Sequence, residues 1–183
     1  MNFDYYINYF KVIEERLMQT QKYVAFTLSN IDNYSIEFSS IISDCANLIN
    51  GFCVDLCKEY GIEKEQYNIT DYKKVLKDNY NNLLHENICF NNGFILRPWE
   101  RVYQNDYKVK ASSPLWWNEY NAIKHSGESN FHKATLKNAI SCVSGMFGLL
   151  VAYDFKRLGC LICNWRGYFY EKGNCRIDVS WEC

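Results

Sequence analysis

The sequence predicts a mainly α-helical fold, an antiparallel bundle of about five helices, and three observations carry that prediction. Long stretches repeat apolar residues every three or four positions, the spacing that lines one face of a helix. Only 2 prolines and 9 glycines punctuate 183 residues, too few for a turn-rich β-sandwich. Apolar residues make up 48% of the chain and aromatics 17%, enough for a packed core without disulfide or metal staples.

Residues 3–25 form the first predicted helix, with Phe3, Ile7, Phe10, Ile13, Leu17 and Val24 on one stripe. Turn-forming residues from Asn30 to Asn33 end it. Residues 35–60 form the second, where Phe38, Ile42, Cys45, Ile49, Phe52 and Leu56 share a seam and Gly61 supplies a stop. Cys45, Cys53 and Cys57 lie on or beside this seam and read as small core hydrophobes. A short third helix is expected from Thr70 or Asp71, carrying Tyr72, Val75, Leu76 and Tyr80. Two short β-prone runs flank Asn91-Asn92-Gly93 and suggest a small hairpin near 88–96.

Ser113-Pro114 predicts the start of a fourth helix. A serine hydroxyl can accept from free backbone N–H groups, and proline suits the first helical position. That helix runs to about His125. A fifth is expected from about Asn130 to Leu158, with Leu136, Ile140, Val143, Phe147 and Leu150 as its main seam. It is apolar nearly all round, so it belongs at the centre of the bundle or at a subunit interface; Gly145 and Gly148 allow close approach of a neighbour. Residues 1–158 thus read as the bundle. Residues 159–183 read as a cysteine- and aromatic-rich tail packed on the bundle or a partner, with a second hairpin near 168–180.

The formal net charge is −1 and no long basic run exists, which argues against a strong non-specific grip on duplex nucleic acid. Basic residues do outnumber acidic ones between Arg97 and Lys137, so a modest phosphate-facing surface or an ordinary solvated face is expected there. The N-terminus lacks a basic segment followed by an apolar run, and the uncharged stretch 138–153 is short for a membrane span. Nine cysteines without a secretion signal point to a reducing compartment, and the expectation is a cytoplasmic protein with no membrane contact. Cys160, Cys163, Cys175 and Cys183 have loose spacing for a zinc site, and free thiols are expected instead. No metal or cofactor is expected. No glycine-rich phosphate loop, paired-carboxylate set or nucleophile elbow appears.

The most informative stretch is 113–125. On a helix Trp117, Asn121 and His125 are spaced i, i+4, i+8 and share one face, with Tyr120 and Lys124 beside them. An amide and a titratable imidazole one turn apart, next to a cation, can address a phosphate and its neighbouring hydroxyl. His125 can equally cap its helix end as a cation, with Trp116, Trp117 and Tyr120 as core residues; both readings stand at this point.

The pattern Trp-Trp-x-x-Tyr-Asn-x-x-Lys-His, followed by a small-residue-rich helix from Ala134, resembles the HEPN superfamily, particularly its abortive-infection branch. Tyr23-Val24, Asn30 and Tyr34-Ser35 ahead of a long amphipathic helix are similar to the same branch, and the likeness spans about residues 1–158. It implies a HEPN-type toxin or ribonuclease of a prokaryotic antiphage system. Such an enzyme cuts RNA without metal, usually as a dimer with two motifs facing each other. By this resemblance His125 is the general acid/base and Asn121 holds the polar position, while Tyr120 stands where the motif has Arg. That departure leaves the positive charge to Lys124, or to Arg97 and Arg101 from the preceding loop, with Lys133 as a further RNA-binding candidate. It also keeps open a non-catalytic HEPN module that binds nucleic acid or supports another defence protein in a hetero-complex.

Overall fold

The computed structural model describes residues 1–81, 88–90, 94–99, 114–158 and 175–177. Within these the chain is mainly helical. Five helices carry the bundle: α1 (Phe3–Gln19), α2 (Ile36–Glu59), α3 (Ile69–Asn79), α4 (Leu115–His125) and α6 (Leu136–Leu158), with a one-turn α5 (Gly127–Asn130) between the last two. α2 and α6 pack on each other, α1 packs on both, α3 lies on α2, and α4 lies on α2 and α6.

Local chemistry sets the helix ends. The Asn2 side chain accepts from Tyr5 N–H at the start of α1, and Ser35 Oγ accepts from Phe38 N–H at the start of α2. α2 stops where Gly61 takes φ 74°: Gly61 N–H donates to Lys58 O and Ile62 N–H to Cys57 O, the paired bonds of a Schellman close. α3 opens one residue ahead of the predicted Thr70, because Asn68 and Asp71 form a capping box. Lys64 pairs with Asp71 and holds the box against the preceding loop.

The first helix, expected over residues 3–25, closes as an α-helix at Gln19, and the expectations at Pro114 and Asn130 also need correction. Pro114 sits at the cap of α4 and not at its first helical position: its ψ of 146° is extended, and its carbonyl accepts from Trp117 and Asn118 N–H. The expected helix from Asn130 is interrupted. A 3-10 turn spans Phe131–Lys133, Ala134 leaves helical geometry, and Thr135 pairs with Tyr34 in an isolated bridge. Long-range bonding causes the break. Ser35 N–H donates to Ala134 O, while Leu136 and Lys137 donate to Asn33 O and Ile31 O, satisfying free N–H groups at the start of α6.

The core follows the seams. Phe10, Ile13 and Leu17 of α1, all six α2 seam residues, and Leu136, Ile140, Val143, Phe147 and Leu150 of α6 are buried. Cys45, Cys53, Cys57 and Cys142 are buried free thiols. α2 also anchors its neighbours through tyrosine hydroxyls. Tyr6 of α1 donates to Asp55 at 2.8 Å, Tyr72 of α3 to Asn50 at 2.7 Å, and Tyr120 of α4 to Asn47 at 2.9 Å. Arg16 ties α1 to α2 through Glu37, Ser40 and Asp44. α6 is long and apolar enough to cross a membrane by length and composition, yet 89% of its apolar window is buried inside the bundle.

Strands β1 (Ile88–Phe90) and β2 (Phe94–Leu96) pair antiparallel, with Cys89 opposite Ile95. β3 (Cys175–Ile177) joins the other edge of β1. So the described part of the 168–180 span pairs with the 88–96 region; the rest of the expected second hairpin lies outside the described residues. Trp99 and Trp116 clasp this region to the bundle: Trp99 Nε1 donates to Gly145 O at 2.9 Å, Trp116 Nε1 donates to Pro98 O at 3.0 Å, and their rings meet edge to face. Gly145 makes room, since a Cβ there would lie 3.3 Å from Trp116 Nε1.

Candidate nucleic-acid interface

α4 presents the residues of interest, and its buried stripe decides where they point. Trp116, Tyr120 and Ile123 face the bundle. His125 lies two residues past Ile123, about 200° round the helix, and is therefore turned to solvent. Among the described residues it has no hydrogen-bonded or charged partner, so its imidazole is free to meet a ligand.

The stripe Trp117–Asn121–His125 runs from interior to solvent. Trp117 is half-buried and meets the Tyr72 ring edge-on at 6.3 Å. Asn121 is half-buried, and its Nδ2 donates to Trp117 O at 3.0 Å, leaving its Oδ1 as the group that can accept from a ligand. Tyr120 takes no part in the solvent face. Its ring is 6% exposed, packed against Trp117, and its hydroxyl is given to Asn47. Lys124 Nζ sits 5.6 Å from the centre of the Tyr120 ring, and consecutive helix positions point about 100° apart, so Lys124 and His125 diverge.

The remaining cations are spread out. Lys133 Nζ lies 3.2 Å from Glu119 Oε2, an ion pair without an aligned hydrogen bond to that oxygen, so part of its charge is already neutralised. Arg97 is exposed, but the next residue, Pro98, is tied to Trp116 near the start of α4. Trp116 and His125 are nine helical steps apart, about 13 Å along the axis. Arg101 lies outside the described residues. Within one chain, then, His125 and Asn121 share a face, Lys124 borders it, and Arg97 belongs to the far end of α4.

Some participants were not visible in the sequence pattern. Asn47 of α2 is one: only the fold brings Tyr120 to it. His132 and Phe131 fall in the 3-10 turn that folds back beside α4, where Asn130 Nδ2 donates to Ala122 O at 3.1 Å. His132 is exposed there. Among the described residues no group of three or more His, Cys, Asp or Glu could hold a metal ion. Comparison with protein-family models, with curated proteins and with solved structures finds no match.

Proposed function

We propose that this chain is a HEPN-type, metal-independent endoribonuclease or toxin of a cytoplasmic prokaryotic antiphage system, acting on RNA through His125. The observation that carries the reading is the solvent-facing imidazole of His125, without a partner among the described residues, on the same helix face as Asn121. An imidazole can take the proton of a ribose 2′-hydroxyl. The freed oxygen attacks phosphorus, the bond to the 5′-oxygen breaks, and that oxygen takes a proton from an acid. The products are a 2′,3′-cyclic phosphate and a 5′-hydroxyl.

The attack builds negative charge on the phosphate, which calls for nearby cations. One protomer offers Lys124 and a partly neutralised Lys133. A homodimer that sets two α4 C-terminal ends face to face would double these cations and supply the second imidazole as acid. Purified protein in EDTA is expected to cut RNA, and His125→Ala to abolish cutting while leaving the fold intact. Intact RNA with well-folded wild-type protein removes the reading.

One observation favours a second reading, a non-catalytic HEPN module supporting a partner effector. Tyr120, in the position where the resemblance expects Arg, is committed to the core and to Asn47. Co-purification with a neighbouring defence protein, with no cutting by the pair, would select it.

A further inference from the structure

The loop before α2 carries an exposed aromatic ring that the bundle does not need. Tyr34 is 55% exposed, yet it is not loose. Its backbone pairs with Thr135, the flanking Ser35 N–H donates to Ala134 O, and Leu136 N–H donates to Asn33 O. Its ring stands edge-on to Phe131, centroids 5.5 Å apart at 88°. Phe131 meets the tyrosine ring at right angles, and more than half of Tyr34 stays open to solvent. Phe131 belongs to the turn that follows the His125 end of α4 and is bonded back to it through Asn130 and Ala122. Exposed His132 is next to Phe131, and exposed Lys137 donates its backbone N–H to Ile31 O beside the same loop.

We infer that the Tyr34–Phe131 pair is a stacking site for an unpaired nucleobase, placing single-stranded RNA across the connector toward His125. The inference rests on the reading of the chain as RNA-acting and adds a binding surface to it. A braced ring that is more than half exposed costs little ordering on binding, and stacking tolerates any base. Duplex RNA buries its base faces and offers nothing to such a ring. Charge plays a small part: Lys137 and Lys124 are set against exposed Asp32 and Glu128. With two lysines meeting phosphates, the logarithm of affinity should fall with the logarithm of salt with a slope near −1.4.

The test is fluorescence anisotropy in EDTA with the full-length chain, a labelled 12-nucleotide oligoadenylate and a 12-base-pair RNA duplex. His125→Ala serves as the parent so that the probe survives. The expected result is preference for the single strand, a loss of about tenfold or more in affinity for Tyr34→Ala, and retention for Tyr34→Trp. Unchanged circular dichroism checks that Tyr34→Ala folds. Equal binding of the duplex, undiminished binding by Tyr34→Ala, or no binding of either probe overturns the inference. Ile36 is also exposed nearby; a dimer or protein complex lost in Tyr34→Ala, without RNA binding, would assign the face to protein and equally overturn it. A protein that binds through Tyr34 but never cuts removes the nuclease reading alone, and one that cuts while Tyr34→Ala binds normally removes the stacking site alone.

Discussion

Tyr120→Arg, which supplies the arginine that the HEPN resemblance expects, should cost stability and add no activity, because position 120 faces the core. The tyrosine ring is 6% exposed, packs on Trp117 at 5.9 Å, and gives its hydroxyl to Asn47 at 2.9 Å. Loss of the hydroxyl alone should cost about 1 kcal/mol, since Asn47 is exposed and water can replace the bond. Arginine loses the ring packing as well. Its guanidinium enters the space below Lys124 Nζ, now 5.6 Å from the ring centre, so a second cation meets the first. Ring loss and an unpaired, largely buried charge together are worth roughly 3–5 kcal/mol. At a urea m-value of about 2 kcal/mol per molar, Tyr120→Arg should lower the unfolding midpoint by about 2 M, and Tyr120→Phe by about 0.5 M. Circular dichroism during urea titration, paired with an RNA-cutting assay, reads both. A Tyr120→Arg protein with an unchanged midpoint and increased cutting would show that position 120 opens to the site, and the core assignment would be wrong.

Gly145→Ala places a Cβ 3.3 Å from the Trp116 indole, which is held by Pro98 O; the crowding should outweigh the helix propensity gained and lower the urea midpoint, with a net loss of about 1 kcal/mol. A raised midpoint would mean that the indole shifts freely. Lys64, bonded to Asp71, holds that carboxyl below its usual range. The stability it adds is present above the unfolded pKa and is lost as pH falls through the lower folded value, so acid should weaken wild type more than Asp71→Asn below about pH 4. Parallel pH profiles would contradict this. Burial raises the Cys53 and Cys142 thiols well above their ordinary range and Cys57 to about 11. Peptide mapping after iodoacetamide treatment of native protein should find these three and buried Cys45 unmodified; prompt labelling would refute the packing.

The sequence made the helices legible where their stabilisation is local and periodic. The α2 seam, read at three- and four-residue steps, is buried throughout, and Gly61 closes the helix as its position implied. What escaped the sequence was long-range. The break at Ala134 depends on Tyr34 and Ser35, about a hundred residues earlier, and no local propensity reports that pairing. Val24 continued the α1 stripe by spacing, but the helix closes at Thr20, where the hydroxyl bonds back to Leu17 O. At the candidate site, spacing alone placed Asn121 and His125 on one face. The same spacing put Tyr120 and Lys124 beside them, and only tertiary packing separated the tyrosine from solvent.

The identity of the ends left on RNA tests the central claim most directly. Mass spectrometry of RNA incubated with the purified chain in EDTA should find 2′,3′-cyclic phosphate and 5′-hydroxyl ends, absent with folded His125→Ala. Uncut RNA, or the same ends produced by His125→Ala, would contradict the assignment of proton transfer to that imidazole.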